Sequence, residues 1–555
     1  MVELDAAGLN SPTGVLRVWL GRLIPRSKAH AVWLGMVACV LVGVWLRTRG
    51  ALYAVIPLWL DEASWANSIM KNDLIDPSIR PIGFMALSKA LVTVFGGSEV
   101  TLRFLPWLCG VSATILSVPL ARQLFRAPAA RLLLVASISL HPGAIDLCKE
   151  FKPYSVTLFL HLSCLLGALL YWELGTRRYL WATVLTGLIG ILFAQDLVFA
   201  FPGLYLALGI RAWQARRTSH VVVLAVGAVM TIALVFAQYW LIWRHINRYS
   251  FDNEANYWGR KYDVFYVAQE GGASNLGWTV RKWLDLAAFP GMRRDLWAAR
   301  GPLSASAVEF LRHIDYGVWV LLHVIALGVI AVGRRLREAL LLLLPLVLLC
   351  IFNLLRFWPF GVFRTNLFAL VYTASLAALA LDVGLRQVAQ LFDLVPATLL
   401  VVMPLLGFER DWHKRKETQF TLTSVFPETL ASLFELQGKD YTGPRESLVL
   451  DSMSCILLGY YTTLNPHYRM YAQQVPERFE LHCEGQGVHR DVLHLSRNLV
   501  RKNHNRVWLV VNSDEIIGQF EQRPADDLKM FVSKKFGKFE GQGLVVGFRG
   551  EKSSF

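Results

Sequence analysis

The sequence predicts a polytopic α-helical membrane protein that ends in a small soluble α/β domain. The 555 residues are 54% hydrophobic and only 17% charged. Several apolar runs reach about 20 residues, the length of helix that crosses the hydrocarbon core of a bilayer. From the segment FERDWHKRKETQF onward, polar residues dominate and the long apolar runs end. Together these observations indicate a membrane domain followed by a soluble tail.

Eleven stretches are predicted to cross the membrane, with boundaries good to about three residues. They are residues 31–47, 100–121, 131–147, 154–172, 179–195, 197–212, 220–242, 317–333, 337–354, 363–382 and 389–406. No apolar core followed by a small-residue cleavage site precedes the first span. That span is therefore expected to act as its own insertion signal.

Short basic clusters predict the orientation of the spans. Under the eleven-span count, five clusters fall on one side, at residues 22–28, 122–131, 177–178, 211–217 and 334–337. Lysine and arginine near span ends favour the cytoplasm, so the segments WLDEASW, CKEFKPY and RFWPFGVFR and the whole tail are predicted to be extracytoplasmic. Arg47 and Arg49 do not follow this pattern. Membrane topology also explains the formal charge of +15, so the bilayer, and not nucleic acid, is the expected partner of these charges.

The predicted domains are a membrane domain, residues 1–407, with outer loops at 48–99 and 243–316, and a soluble α/β domain, residues 408–555. The tail is large enough for a core of its own. Short apolar runs such as SLVLD and RVWLVV are typical of strands, and they alternate with helical patterns such as RDVLHLSRNLVRKNH and NSDEIIGQFEQR. No pair of CxxC motifs and no HExxH motif occurs, which disfavours a zinc site.

Two of the seven cysteines, Cys455 and Cys483, lie in the tail. An oxidising compartment permits a disulfide between them, but the sequence does not fix the distance between the two thiols. The paired and the free state both stay open at this stage.

Charged residues recur at the outer ends of the predicted spans, where burial at membrane depth costs at least about 2.5 kcal/mol. Asp61 and Glu62 follow the first span, and Arg80 comes before Pro81 at the start of an amphipathic helix. A cation at a helix start opposes the helix dipole, so Arg80 is better suited to meeting an anion. Further along the chain come Glu150, Lys152 and Tyr154 and, between the ninth and tenth spans, Arg364.

Each of these residues alone has an ordinary structural explanation. An acid pair at a span end is usually a solvated helix cap, and single arginines usually extend to lipid head groups. Their combination is more informative, because three separate outer segments contribute carboxylates and cations at one membrane depth. This arrangement is expected of a site that faces a lipid-borne anion.

The order of these motifs resembles the GT-C membrane glycosyltransferases of the family-39-like group, which includes protein O-mannosyltransferases and lipid A aminoarabinose transferases. The likeness rests on WLDEASWANSI, on the segment from RPIGFMALSKAL to RFLPWLCG, on SLHPGAIDLCKEFKPYSVTLFL and on RFWPFGVFRTNLFALVY. It covers residues 31 to about 210 well and does not cover the tail. Two departures are a single proline after Arg80, where the family usually has two, and Lys152 in place of the commoner arginine.

The resemblance implies the GT-C fold, with about eleven transmembrane helices, and an enzyme that moves a sugar from a polyprenyl-phosphate donor to an acceptor on the extracytoplasmic face. It implies Asp61 as the general base, with Glu62 to orient it or to bind a cation. Arg80, Lys152 and Arg364 would bind the donor phosphate, and Tyr154 also matches the family motif. Glu150, at the membrane edge beside Lys152, is a further candidate for the site. The acceptor is a lipid, a glycan or a protein, and the sequence does not distinguish these three. A divalent cation is left open as a cofactor.

Two other classes of protein remain at this stage. A transporter would also carry charges at membrane depth, although it would more often show paired halves with interrupted spans at matching positions. A non-catalytic membrane component of polysaccharide assembly or export would keep the spans and the tail without needing Asp61.

Overall fold

The structure is a computed structural model that describes residues 28–53, 58, 60–70, 81–241, 255–256, 258–260, 262–267, 274–291, 305–384, 426–438, 445–463, 470–483, 496, 499, 506–511, 529–536 and 543–549. Several predicted features lie outside these residues: Arg80, the span 389–406, the domain boundary at 407–408, the helical pattern in 490–504 apart from Ser496 and Leu499, and the helical pattern in 512–523.

Helices form the described part of the membrane domain. They are α1 (Lys28–Thr48), α2 (Leu60–Met70), α3 (Ile82–Phe95), α4 (Glu99–Leu124), α5 (Pro128–Ser139), α6 (Pro142–Asp146), α7 (Tyr154–Leu174), α8 (Arg177–Gly190), α9 (Phe201–Gln214), α10 (Thr218–Leu241), α11 (Asn275–Ala287), α12 (Ala305–Val332), α13 (Leu336–Glu338), α14 (Leu344–Leu354) and α15 (Ala369–Leu379). Five runs of the described residues are long and apolar enough to cross a membrane, or six if one bent pair counts as a span.

Helix α4 shows how the local sequence sets these elements. Ser98 precedes its first turn, and the Ser98 hydroxyl accepts a hydrogen bond from the Thr101 amide at 3.2 Å, which caps the helix. Helix α7 ends at Gly175, whose φ of +62° is a left-handed conformation that glycine adopts without strain. The helices α4 and α7 pack along each other, with α5 on one side and α8 on the other.

The predicted span 131–147 is bent, not straight. Helix α5 and the segment from Pro142 to Lys149 meet at 45°. Proline has no amide hydrogen and clashes with the carbonyl four residues earlier, here that of Ile138. Arg47 is fully buried and donates to the carbonyls of Ile138 at 3.0 Å and Ser139 at 2.6 Å. The arginine that did not follow the charge pattern therefore satisfies the carbonyls left free at this bend.

The two predicted spans on either side of Asp196 form shorter helices than expected. In place of 179–195 and 197–212, α8 ends at Gly190, a 3₁₀ turn covers Gln195–Phe199, and α9 begins at Phe201. Asp196 lies in the turn and is almost fully buried, near the His161 imidazole. Similarly, the predicted span 363–382 begins as a helix only at Ala369, because Arg364–Asn366 form a 3₁₀ turn outside it.

The described part of the tail is an α/β unit, as predicted. Its elements are α16 (Phe426–Gln437), β1 (Glu446–Leu450), α17 (Ser452–Thr463), α18 (Met470–Arg478), β2 (Phe479–Cys483), β3 (Val507–Val511), β4 (Lys529–Phe536) and β5 (Gly543–Arg549). The strand order is β2-β1-β3-β5-β4, with β1 parallel to β2 and β3, and β5 antiparallel to β3 and β4. Cys455 on α17 and Cys483 at the end of β2 form a disulfide.

Candidate active site

Helix α2 presents the two adjacent acids of the sequence. Asp61 and Glu62 occupy its first turn, where the partial positive charge of the helix N-terminus stabilises carboxylates. Neighbouring residues on a helix point about 100° apart, so the two side chains face different surroundings. The two adjacent carboxylates therefore have different ion-pair partners.

Glu62 faces inward and is fully buried. Its two carboxylate oxygens accept hydrogen bonds from Arg103 Nε at 3.0 Å and Arg103 Nη2 at 2.7 Å, a bidentate ion pair with α4. Oε1 also accepts a hydrogen bond from the Phe151 backbone amide. Glu62 therefore ties three parts of the chain together: α2, α4 and the loop that carries Glu150 and Lys152.

Asp61 faces outward. Its Oδ2 lies 3.1 Å from Arg364 Nη2, and the two side chains are 36% and 26% exposed. Arg364 comes from the 3₁₀ turn after α14, 303 residues away in sequence. The Asp61–Arg364 ion pair is therefore open enough for a ligand to reach both partners.

Lys152 lies beside this ion pair, with its side chain only 4% exposed. Its ammonium nitrogen lies 4.0 Å from the ring centroid of Trp65, one turn after Asp61 on α2, in cation–π contact. Burial lowers the pKa of Lys152 to about 7, although the negative charge of Asp61 acts in the opposite direction. A nearby anion would restore the ordinary positive charge of this lysine.

Glu150 and Tyr154 complete the described cluster. The Glu150 carboxylate has one buried oxygen, Oε2, that has no hydrogen-bond partner within the described part of the chain. Burial, reinforced by the charge of Glu62, raises the pKa of Glu150 to about 8. Tyr154 begins α7, is 8% exposed, and interacts electrostatically with Arg364, Glu150 and Asp61. The loop therefore presents a largely protonated acid near neutral pH.

Six of the seven residues singled out in the sequence are thus neighbours: Asp61, Glu62, Glu150, Lys152, Tyr154 and Arg364. The seventh, Arg80, lies outside the described residues. The next residue, Pro81, precedes α3, and the Gly83 amide donates to the Leu192 carbonyl at 2.8 Å.

Arg103 belongs to this cluster and was not recognised in the sequence. It lies in the first turns of a predicted span, where an unpaired charge is costly. This cost could have identified Arg103 in the sequence, because a charged residue inside a span requires a buried partner of opposite charge. The identity of the partner, Glu62, depends on how α2 and α4 pack.

The charged groups of the cluster include two cations. Among the residues that the structure describes, no group of three or more His, Cys, Asp or Glu side chains is arranged to hold a metal ion. The cations Lys152 and Arg364 instead lie beside the carboxylate of Asp61.

Comparison with solved structures gives the fold. The crystal structure of ArnT from Cupriavidus metallidurans bound to undecaprenyl phosphate matches with a TM-score of 0.50 and 14% sequence identity, over 93% of this chain and 98% of that chain. The chain has the GT-C fold. Weaker matches are the apo state of the same protein, at a TM-score of 0.48, 13% identity and coverage of 94% and 98%, and the Archaeoglobus fulgidus oligosaccharyltransferase in the apo form, at 0.42, 13%, and coverage of 86% and 69%.

No protein-family model matches the sequence, and no curated protein does. The GT-C fold predicted from motifs in residues 31 to about 210 and in the RFWPFGVFR segment is nevertheless confirmed. The structural likeness reaches further than the motifs did. Coverage of 93% of this chain exceeds what the 407 residues predicted for the membrane domain could supply, so the GT-C likeness extends into the tail.

Proposed function

We propose that this protein is an inverting glycosyltransferase that moves a sugar from a polyprenyl-phosphate donor to an acceptor hydroxyl on the extracytoplasmic face of the membrane. The observation that carries the proposal is the open ion pair between Asp61 and Arg364, with Lys152 buried beside it. A base and two cations in one accessible site match the two demands of sugar transfer from a phosphate.

Arg364 and Lys152 bind the donor phosphate. The guanidinium of Arg364 offers a planar pair of donors, and Lys152 supplies a point charge. ArnT, which shares the fold, was crystallised with undecaprenyl phosphate, a polyprenyl phosphate. Arg80, one residue before the described start of this region, is assigned to the same phosphate on the motif alone.

The arriving phosphate competes with Asp61 for Arg364. Donor binding thereby releases the Asp61 carboxylate, which lies at the same edge of the cluster. Asp61 then accepts the proton of the acceptor hydroxyl while the acceptor oxygen forms a bond to the anomeric carbon. The bond from that carbon to the phosphate oxygen breaks, and the leaving polyprenyl phosphate keeps the electron pair beside Arg364 and Lys152. Direct displacement inverts the anomeric centre.

Glu62 is assigned a positioning role. Its carboxylate accepts from both Arg103 nitrogens and from the Phe151 amide, so it has little capacity left for a substrate proton. It instead fixes α2 relative to the loop of Glu150 and Lys152. Glu150, which is largely protonated near neutral pH, places no second negative charge against the donor phosphate.

The basic clusters between spans assign the site and the tail to the extracytoplasmic face of the cytoplasmic (inner) membrane. The tail disulfide is consistent with that assignment, because disulfides persist outside the cytoplasm. A reporter fused after Phe408 should therefore be extracytoplasmic, and a cytoplasmic reporter would contradict both the odd number of spans and the outer location of the site.

The test of function uses the purified protein in proteoliposomes and a series of donors, each a labelled sugar linked to polyprenyl phosphate. Transfer of the labelled sugar from the donor is measured. We expect transfer by the wild-type protein and its loss in Asp61→Asn. A protein that moves intact donor across the bilayer without cleaving it would instead be a transporter. A protein that neither moves nor cleaves the donor would fit a non-catalytic assembly role.

A further inference from the structure

Besides the loop of Lys152 and the turn of Arg364, three helices contact helix α2, which carries Asp61. At its N-terminal end Glu62 is held by Arg103 of α4. At its C-terminal end Lys89 Nζ of α3 donates to the Ile69 carbonyl at 2.9 Å, a favourable place for a cation. The third contact is made by the C-terminal domain.

Helix α17 of the C-terminal domain packs against α2. Asn67 Nδ2 donates to the Ile456 carbonyl at 2.7 Å, a bond between residues 389 positions apart. Gly459 lies on the same face of α17, one turn later. A Cβ at position 459 would stand 3.2 Å from Asn67 Nδ2, so the glycine permits the close approach of the two helices.

Tyr460 extends this contact toward the Glu62–Arg103 pair. It is fully buried and interacts electrostatically with Glu99, Arg103 and Glu62. Its phenol oxygen has no hydrogen-bond partner among the residues that the structure describes. The neighbouring Tyr461 ring lies within the tail, with its centroid 4.9 Å from that of Tyr460 and 6.0 Å from that of Phe426. Tyr460 therefore brings α17 close to the Glu62–Arg103 ion pair.

Helix α17 is itself held firmly on the sheet. Asp451 follows β1, and its side chain accepts from the Ser454 amide at 2.7 Å, which caps the helix. The Cys455–Cys483 disulfide joins the first turn of α17 to β2. A helix fixed at its start to a five-stranded sheet can act as a rigid support for a second helix packed against it.

We propose that the C-terminal domain docks through α17 onto the catalytic helix α2, and that Asn67, Gly459 and Tyr460 are positioning residues for Asp61. The positioning role rests on the proposed function, whereas the docking does not. Misplacing a catalytic group by about 1 Å costs about 10²-fold in rate. Loss of the contact with α17 would displace Asp61 on α2 but not Lys152 and Arg364, which are assigned to the donor phosphate. We therefore expect it to lower turnover more than it weakens donor binding.

The docking geometry is tested without an activity assay. The pair Asn67→Cys and Gly459→Cys should form a disulfide under mild oxidation, detected as two fragments that stay joined after cleavage at a protease site inserted after Phe408. The control pair is Asn67→Cys with Met470→Cys, since Met470 is 63% exposed at the start of α18. Cross-linking in the control alone, or in neither pair, overturns the docking.

The positioning role is tested with Gly459→Leu, which places a side chain where the Asn67 amide lies. We expect faster amide exchange in residues 60–70, a kcat about tenfold to a hundredfold lower and a donor KM within about twofold of wild type. Asn67→Ala in the same chain removes the clash and should restore part of kcat, which a general folding defect would not allow. Met470→Leu is the matched control.

The outcomes separate the two proposals. If the wild-type protein transfers sugar and Gly459→Leu keeps both its kcat and the exchange rates of residues 60–70, the positioning role is wrong and the proposed function stands. If the wild-type protein transfers no sugar from any polyprenyl phosphate, the proposed function is wrong. The cross-link and the exchange rates then still decide whether α17 holds α2.

Discussion

Helix α2 has an inner face, which packs against the protein, and an outer face, which is partly exposed. Each face carries one acid that is paired with an arginine, but the two ion pairs differ in burial. On the inner face Glu62 meets Arg103 with both side chains almost fully excluded from solvent. On the outer face Asp61 meets Arg364 with about a third of each side chain exposed. The inner pair is closed on all described sides by α4 and the Phe151 amide, whereas the outer pair lies where a ligand can displace it.

This difference assigns the two acids different tasks. A buried ion pair that loses one partner leaves an uncompensated charge in a medium of low dielectric constant, so the inner pair governs whether α2 keeps its place. An exposed ion pair contributes little to stability, about 0 to 1 kcal/mol, so the outer pair is free to serve chemistry. Of the two adjacent acids, Glu62 therefore holds α2 in place and Asp61 is available for the reaction.

The largest expected effect is on stability, at the inner face. Glu62→Ala should destabilise the protein by about 3–5 kcal/mol, because Arg103 is left buried without its carboxylate. Thermal unfolding of the detergent-solubilised protein measures this loss. Asp61→Ala, the matched change on the outer face, should shift stability by less than about 1 kcal/mol. Equal losses for the two variants would mean that the inner and outer faces do not differ.

The second effect is on turnover, at the outer face. Asp61→Asn keeps the size of the side chain and removes its basicity, so kcat should fall by about 10² or more while donor binding changes little. Single-turnover transfer of labelled sugar measures this step. Turnover near the wild-type value would reject Asp61 as the base, and Glu62→Gln would then be the variant to assay, provided that it folds.

The third effect concerns the donor phosphate. Replacing Lys152, Arg364 or Arg80 by alanine should each weaken donor binding or slow transfer by about 1.5–3 kcal/mol, the range for hydrogen bonds to charged groups. The effects should also couple by about 0.5–3 kcal/mol in double variants, because the residues share one ligand. Donor titration with single and double variants measures both quantities.

Arg364→Lys is the sharper variant, because it keeps the charge and removes the planar guanidinium. A loss as large as that of Arg364→Ala would indicate that two guanidinium nitrogens bind the phosphate. Small effects that simply add across the three positions would identify them as membrane anchors, with the donor phosphate bound elsewhere.

The sequence predicted the members of this site better than their pairing. Asp61, Lys152 and Arg364 could be found because a charge at membrane depth is costly and therefore indicates a partner or a function. The motif resemblance indicated the function. That Arg364 would meet Asp61, and Arg103 would meet Glu62, depends on how α2 packs between α4 and the loop after α14. Pairing over hundreds of residues is set by packing and leaves no local pattern in the sequence.

The same limit applies to the spans and to the tail. Hydropathy located the apolar segments, but the bend between α5 and α6 also required Pro142 and a buried Arg47 to satisfy the freed carbonyl of Ile138. The strands β1 and β3 follow their apolar runs, as predicted. The contact of α17 with α2 was not predicted, because Asn67 and Gly459 are ordinary residues until the two helices approach.

The smallest expected effect is a pH dependence at the outer site. As pH rises, Lys152, whose pKa is about 7, loses its positive charge, and Glu150, whose pKa is about 8, gains a negative one. Both changes oppose binding of an anionic donor, so kcat/KM for the donor should fall above about pH 7, by at most about tenfold per pH unit for each ionisation.

Glu150→Gln removes one of these two ionisations and leaves the other. Its kcat/KM should still fall as Lys152 deprotonates, but between pH 8 and pH 9 the decline should be shallower than in the wild-type protein by up to about tenfold. Steady-state transfer rates at limiting donor concentration, measured from pH 6 to pH 9, give the comparison. A profile identical to that of the wild type would show that the Glu150 carboxylate does not face the donor phosphate. The outer site would then consist of Asp61, Lys152 and Arg364, with Glu150 serving only the loop between α6 and α7.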